Sequence, residues 1–329
     1  NLDYKIYNVT NGRLYTDRIQ DTAILLDNKI IEEASFQLRH TEESKIYNSK
    51  IINNIVFKKG TPRRLTNLDG TVLSLLTGGG GNNNYWHWLF DVLPRIGLVN
   101  KILNLDEIDY FLIPDDIKKF QSETLDALNI SKSKRLSSRK FRHIKAKKLI
   151  TTDHPVVISG NATQDIMNMP IWISKWLKES FLKDYKSSDE SNTKNIYIDR
   201  SDEKSNLKIQ RAIENENEIK NFLIKKNFIL VKLHEIKFLD QVQLFNKAKC
   251  IVGLHGGGFA NLVFCKPGTK VVELKSIDAG VPIENLANKN NLNYKSIAVE
   301  AKKTEQFKLP NQQGSIKIPI NSLIEVIEN

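Results

Sequence analysis

The sequence predicts an α/β protein with two Rossmann-like domains facing each other across a cleft. Apolar runs alternate with amphipathic segments through most of the 329 residues, which is the pattern of strands alternating with helices. A polar, turn-rich stretch at residues 186–194 interrupts this alternation and predicts a linker. We therefore expect an N-terminal domain at 1–185 and a C-terminal domain at 186–329.

The N-terminal domain is expected to begin with a small β-rich portion, because residues 1–60 carry short alternating runs split by turn pairs. Further along, the pattern predicts strands at Thr71–Leu76, Tyr110–Ile113 and Lys148–Ile150. It predicts helices from Tyr85, over Asp116–Leu128 and within Asn168–Asp184.

The second domain shows the same alternation. Strands are predicted at Asn195–Ile198, Phe228–Val231, Cys250–Val252 and Lys270–Leu274, with helices at Glu214–Lys226, Phe238–Ala248 and Phe259–Phe264. The last helix either stays in this domain or returns to the N-terminal one. Two such domains place the ligand site in the cleft between them.

Composition restricts the location and the partners. No run of about 18 apolar residues occurs, no basic and apolar leader pattern opens the sequence, and Cys250 and Cys265 lie in apolar runs typical of reduced, buried thiols. These features predict a cytoplasmic protein. The net charge is +11, but no nucleic-acid motif accompanies it, so nucleic acid is not an expected partner. A basic stretch at 132–148 is either a solvated loop or a peripheral contact with an anionic membrane face.

Residues 84–95 combine a helix start with an imidazole and a carboxylate. Asn84 follows the glycine run Gly78–Gly81 and is a favourable N-cap. His87 and Asp91 are four residues apart, which places them on one helix face, where the carboxylate can orient the ring and raise its basicity. A purely structural pair is the alternative. Pro94 is expected to stop or kink the helix.

A second glycine-rich turn follows the strand at Cys250–Val252. Its glycines, Gly256, Gly257 and Gly258, let backbone N–H groups approach a ligand, and the helix start beyond them favours a phosphate. Glu273 is predicted at the end of the next strand, where it can accept hydrogen bonds from ribose hydroxyls. A tight packing turn and an exposed strand-end carboxylate are the alternatives.

Arg200 follows the first strand of the second domain. A guanidinium at this end of a strand can hold a diphosphate through two parallel hydrogen bonds. A solvated surface arginine is the alternative.

Together these residues resemble glycosyltransferase family 61, which includes bacterial capsule-type enzymes. The resemblance covers about residues 70–295. It rests on Asn84-Tyr-Trp-His87 with Asp91, Pro94 and Arg95, on Ile198-Asp-Arg200, on Arg211 with Asn215-Glu216, and on Gly253-Leu-His255 through Asn261 to Glu273.

The resemblance implies the GT-B fold, with 1–185 as the acceptor-side domain and 186–329 as the nucleotide-sugar-binding domain. It also implies an inverting, metal-independent transfer from a nucleotide sugar, expected to be a UDP-sugar. The acceptor is expected to be an oligosaccharide, polysaccharide or glycolipid, as in capsule, lipopolysaccharide or other surface-glycan synthesis. His87 and Asp91 supply the base and its orienter, with His87 favoured as base. No metal and no cofactor are expected. The implied donor contacts are Asn84, Arg95, Arg200, Lys204, Arg211, His255, Gly256, Gly257, Gly258, Asn261 and Glu273.

Two further function classes were weighed. An α/β-hydrolase is disfavoured, because the loop at His255 resembles an oxyanion-hole loop but no GxSxG nucleophile motif occurs. A catalytically silent module that binds a nucleotide sugar or polysaccharide stays open.

Overall fold

The structure is a computed structural model that describes residues 2–18, 20–35, 37–40, 46–76, 84–115, 118–159, 161–183, 193–200, 211–302 and 314–328. The chain divides into two compact units, Asn1–Leu177 and Lys178–Asn329. Residues 184–192, which include most of the predicted linker, lie outside the described residues.

The first unit combines a large sheet with short helices. Its strands are β1 (Ile6–Thr10), β2 (Arg13–Thr16), β3 (Thr22–Leu26), β4 (Lys29–Ile30), β5 (Leu38–His40), β6 (Ile46–Asn48), β7 (Thr66–Ser74), β8 (Tyr110–Ile113), β9 (Arg135–Ser137) and β10 (His143–Thr152). Its helices are α1 (Ile55–Lys59), α2 (Tyr85–His87), α3 (Pro94–Val99), α4 (Lys119–Ala127), α5 (Ala162–Met167) and α6 (Ile171–Leu182), which runs into the second unit.

The large sheet is mixed. Its strand order is β4-β3-β2-β10-β7-β8-β9, and β1 also pairs with β10. Strands β10, β7, β8 and β9 are parallel to one another, whereas β1 and β2 run antiparallel to β10 and β3 runs antiparallel to β2. The predicted β-rich N-terminal portion is therefore present. Its strands β1 to β4 extend the parallel sheet, and β5 and β6 form a separate antiparallel pair.

Strand β10 is much longer than predicted. It covers ten residues, from His143 to Thr152, where the sequence predicted a strand at Lys148–Ile150 alone. Lys145 and Lys147 consequently lie in a strand with exposed side chains, so the solvated-loop interpretation of this part of the basic stretch was wrong.

The helix that begins at Tyr85 does not end at Pro94. A π turn at Trp88–Val92 precedes the proline, and Leu93 N donates to Trp88 O at 3.1 Å, a bond five residues back. Proline lacks an N–H and its ring crowds the carbonyl four residues before it. The wider turn accommodates both effects, so Pro94 begins α3. Of the predicted stop or kink, the structure shows an irregular turn before the proline and a helical run that continues after it.

The second unit is built on a parallel sheet. Its strands are β11 (Lys194–Ile198), β12 (Arg211–Ile213), β13 (Phe228–Val231), β14 (Ala248–Leu254), β15 (Lys270–Ser276), β16 (Asn293–Val299) and β17 (Gly314–Ile316). Its helices are α7 (Glu216–Lys225), α8 (Phe238–Asn246), α9 (Pro282–Lys289) and α10 (Ile320–Glu328), and a 3-10 helix covers Gly257–Phe264.

The strand order of this sheet is β13-β11-β14-β15-β16, and all these pairings are parallel. In chain order the strands lie 2-1-3-4-5, so the connections leave β11 and β14 in opposite directions and open a crevice at their carboxyl ends. The sequence had predicted this alternation, but not β12, β16 and β17. Helix α10 belongs to this unit, where Leu323 is fully buried in the core.

Two sequence expectations about apolar segments can be checked. Cys250 and Cys265 are both buried free thiols, as expected. Within the part of the chain that the structure describes, no helix is both long and apolar enough to span a bilayer.

Candidate functional site

In the first unit, the helical run after β7 holds His87 against Asp91. Asn84 begins the run as predicted, with its side-chain oxygen accepting the N–H of Trp86 at 2.9 Å. His87 Nδ1 lies 2.7 Å from Asp91 Oδ2, and the carboxylate is buried while about a quarter of the imidazole side chain is exposed. The imidazole can therefore contact a ligand directly, whereas the buried carboxylate can affect a ligand only through the side chains that it contacts.

The charge of Asp91 sets the protonation of the pair. Burial disfavours the charged imidazole, but the carboxylate charge and its hydrogen bond outweigh burial, so the pKa of His87 is raised. For Asp91, burial is likewise outweighed by His87 and, more weakly, by His154 and Arg95, so its pKa is lowered. An ionised Asp91 accepts the Nδ1 proton of His87, which leaves Nε2 as the basic nitrogen.

His154 approaches the same carboxylate and was missed by the sequence analysis. Its Nδ1 accepts the backbone N–H groups of Val156 and Val157 at 3.1 and 2.9 Å, so the proton of the neutral ring is on Nε2. That Nε2 lies 3.9 Å from Asp91 Oδ2. Burial lowers the pKa of His154 to about 3, so the ring stays neutral and presents an N–H, not a positive charge, near the carboxylate.

Arg95 closes the other side of Asp91. It is 1% exposed, and its guanidinium donates to the backbone oxygens of Asp91 and Thr152 at 3.2 and 3.0 Å. Its Nη2 is buried without a hydrogen-bond partner among the described residues. Because the head group is enclosed in this unit, its placement gives no support to the predicted donor contact and favours a role in positioning Asp91.

Sheet topology explains why His154 meets a helix more than fifty residues earlier. Strands β7 and β10 are parallel neighbours, so the chain segments after both strands emerge at the same edge of the sheet. The polar run Thr151-Thr-Asp-His154 directly after an apolar strand was the available signal.

In the second unit, two arginines meet at the turn after β14. Arg200 Nη1 and Arg211 Nη1 both donate to the carbonyl of His255, at 3.2 and 2.7 Å. Arg200 follows β11 and His255 follows β14, so the pair lies at the crevice where the strand order reverses. This is the position at which doubly wound sheets bind their ligands.

Gly256 makes room for one of these guanidiniums. A Cβ added at this residue would stand 2.5 Å from Arg200 Nη1, closer than any real contact allows. The 3-10 helix Gly257–Phe264 begins directly after it, so its first N–H groups and the guanidiniums converge on one turn. The turn thus concentrates positive charge and hydrogen-bond donors, as a phosphate requires.

Glu273 does not lie where the sequence predicted. It is inside β15, which continues to Ser276, and it is fully buried. One carboxylate oxygen contacts His255 Nδ1 and the other accepts the hydroxyl of Tyr294. The predicted strand-end position was therefore wrong, and the carboxylate orients the His255 ring.

The remaining predicted contacts are placed as follows. Asn261 is buried, and its amide donates to Gln241 Oε1 at 3.0 Å, which ties the 3-10 helix to α8. Gly258 packs closely on Leu233, since an added Cβ would stand 2.8 Å from that side chain. Lys204 lies outside the described residues. No group of three or more metal-ligating side chains is found in the described part of the chain.

Comparison with known proteins assigns the chain to a family. Residues 85–272, more than half of the chain, match the family model described as Glycosyltransferase 61. The matched segment contains both the His87–Asp91 pair and the turn from His255 to Gly258. A search of curated proteins found no match.

Proposed function

Since the chain belongs to glycosyltransferase family 61, we propose that it is an inverting glycosyltransferase that moves a sugar from a UDP-sugar to a glycan acceptor without a metal. The GT-B organisation is part of this proposal. Under it, the unit Lys178–Asn329 binds the donor and the unit Asn1–Leu177 supplies the base.

The observation that carries the proposal is the convergence of Arg200 and Arg211 on the His255–Gly256 turn. A nucleotide diphosphate gains negative charge as the bond to the sugar breaks. Two guanidiniums and the first N–H groups of a helix stabilise that charge more in the transition state than in the ground state. They supply the positive charge that a divalent ion provides in other phosphate sites.

The reaction is a single displacement. The acceptor hydroxyl oxygen attacks the anomeric carbon on the face opposite the diphosphate, and the C–O bond to the diphosphate breaks with its electron pair on the leaving oxygen. The acceptor proton passes to His87 Nε2, because Nδ1 is held by Asp91. The anomeric configuration inverts, and the imidazolium loses its proton to solvent before the next turnover.

Glu273 acts on the donor side through His255. Its buried carboxylate fixes the ring from the Nδ1 side, so Nε2 is the nitrogen that can face a phosphate or sugar oxygen. Tyr294 donates to the second carboxylate oxygen, and burial, followed by the charge of the carboxylate, raises the pKa of this phenol. The hydroxyl therefore remains protonated and keeps the carboxylate oriented.

The test combines binding and product analysis. We expect UDP or a UDP-sugar to raise the thermal midpoint of the wild-type protein, and the double variant Arg200→Ala/Arg211→Ala to lose most of that shift. We expect NMR of the first-formed product to show the anomeric configuration opposite to the donor. Retention of configuration would contradict inversion. Donor binding without transfer to any glycan would instead support the silent binding module.

A further inference from the structure

Residues 50–64 form an exposed surface of the first unit that the proposed reaction does not use. The surface carries the cations Lys50, Lys58, Lys59, Arg63 and Arg64 together with the apolar side chains Ile52 and Phe57, and we call this set the basic apolar patch. All seven residues are exposed, including 61% of Ile52 and 50% of Phe57. No Asp or Glu occurs from Ile46 to Leu68, so the segment holds five positive charges and no negative one.

Helix α1 is fixed in the orientation that exposes Phe57. Its N-cap Asn54 is fully buried, accepts the N–H of Val56 at 3.2 Å, and donates to Gln37 Oε1 at 2.8 Å. Ile55 and Val56 pack on a cluster of buried sheet residues formed by Tyr15, Ala23 and Leu25. With the inner side of this short helix occupied, Phe57 and the two lysines after it are directed to solvent.

The end of the patch at Arg63 contacts the basic stretch at 132–148. His143 Nδ1 donates to the carbonyl of Arg63 at 2.8 Å, which holds the end of the patch against β10. The pKa of Arg142 is lowered, first by burial and then by the positive charges of Arg63 and Arg18. Cations from separate segments are thus held together, although their repulsion opposes this arrangement.

We propose that the basic apolar patch docks the protein on an anionic membrane surface, with Phe57 and Ile52 entering the headgroup region and the cations facing lipid phosphates and carboxylates. Interfacial helices combine these two features, apolar side chains that insert and lysines or arginines that meet anionic lipids. A soluble polyanion without exposed bases, such as heparin or duplex nucleic acid, needs the charges alone, and stacking on single-stranded bases would use Phe57 but not the aliphatic Ile52. The exposed pair Phe57 and Ile52 therefore favours a membrane. The inference holds independently of the proposed donor and acceptor.

The experiment is co-sedimentation with vesicles. We expect the wild-type protein to bind vesicles that contain phosphatidylserine and to stay in solution with pure phosphatidylcholine. High salt should weaken the binding, because surface charges are screened. Lys58→Glu/Lys59→Glu should lower the partition coefficient by about 100-fold or more, and Phe57→Ser/Ile52→Ser by about tenfold.

Matched controls separate the patch from general charge and hydrophobicity. Lys237→Glu/Lys249→Glu removes the same charge at exposed residues of the second unit, and Ile102→Ser removes a side chain that is 68% exposed. Both controls should bind vesicles like the wild type. Circular dichroism and the thermal midpoint confirm that each variant is folded, as expected for exposed positions.

Three results would overturn the proposal. The first is a wild-type protein that ignores anionic vesicles at low salt. The second is an equal loss of binding in the patch variants and their controls. The third is vesicle binding that Phe57→Ser/Ile52→Ser leaves unchanged while heparin competes fully, which identifies a soluble polyanion as the partner.

Discussion

Asp91 and His154 are 63 residues apart in the sequence, yet His154 Nε2 lies 3.9 Å from the carboxylate oxygen that also binds His87. Two imidazoles therefore approach the buried carboxylate of Asp91, one of them partly exposed and the other enclosed. The exposed ring of His87 is suited to exchange a proton with a ligand. The enclosed ring of His154 is suited to adjust the charge that Asp91 presents to His87.

The first prediction concerns pH dependence. Because Asp91 raises the pKa of His87, the base should be protonated, and therefore inactive, up to a pH above the usual imidazole value of 6.5. Activity should rise with pH through that raised pKa. Asp91→Asn removes the negative charge, so it should move the acid limb of kcat/KM to lower pH and reduce kcat by about 10²- to 10⁴-fold.

Steady-state rates across pH check this prediction, with donor thermal shifts as the control for an intact second unit. His87→Gln should abolish the limb altogether, since glutamine does not titrate. An unchanged limb in Asp91→Asn would mean that another group is the base.

The second prediction uses two substitutions of His154 that divide its contacts. His154→Asn keeps an acceptor near the Nδ1 position for the N–H groups of Val156 and Val157, but loses the N–H directed at Asp91. The full charge of Asp91 then acts on His87, so the acid limb should move to higher pH. His154→Gln keeps a donor within reach of Asp91 and loses the acceptor for the turn.

His154→Gln should therefore lower the thermal midpoint, because two buried N–H groups lose their partner at about 1–3 kcal/mol each, while the acid limb stays in place. The two variants should separate stability from pH dependence. If His154→Asn leaves the pH profile unmoved and lowers stability alone, His154 serves the fold and not the base.

Local patterns explain what the sequence could predict. The central strands β14 and β15 of the second unit are buried on both faces and stand out as apolar runs. The His87–Asp91 contact follows from a four-residue helical spacing. The N-cap Asn84 is equally local. These features depend on neighbours in the sequence, so no knowledge of the sheet order was needed.

Features that depend on distant strands could not be predicted in the same way. The burial of Glu273 depends on β15 continuing past it and on Tyr294 from β16 covering it. Arg95 was predicted as a donor contact, but the end of β10 provides the carbonyl of Thr152 that lets it be buried. Each case requires the pairing of strands far apart in the chain.

The third prediction tests the arginine pair without removing it. In Gly256→Ala the new methyl group would collide with Arg200 Nη1, and the guanidinium is the flexible partner that must move. The fold should persist, while the Kd for UDP should rise by about tenfold, the value of a displaced charge-assisted hydrogen bond. Isothermal titration calorimetry gives the Kd. Gly268 is a glycine outside this contact: a Cβ added there would meet no atom, although its φ is positive.

A double variant tests whether the loss of UDP affinity in Gly256→Ala acts through Arg200. Gly256→Ala in the background of Arg200→Ala should cost little further affinity, because the displaced group is already absent. Additive losses in the double variant would show that Gly256 contributes through its own backbone and not through Arg200.

The fourth prediction concerns the packing that supports the helix of His87. Gly97 lies in α3, and a Cβ there would stand 2.6 Å from Trp176 Nε1 of α6. Alanine normally favours a helix over glycine by about 0.5–1 kcal/mol. Here the overlap with the indole should reverse that sign, and Gly97→Ala should destabilise the protein by about 1–3 kcal/mol.

Urea unfolding measures the change, and Trp176→Leu should recover part of the loss in the double variant, since the smaller side chain leaves room for the methyl group. A Gly97→Ala protein more stable than the wild type would contradict the close approach of the two helices.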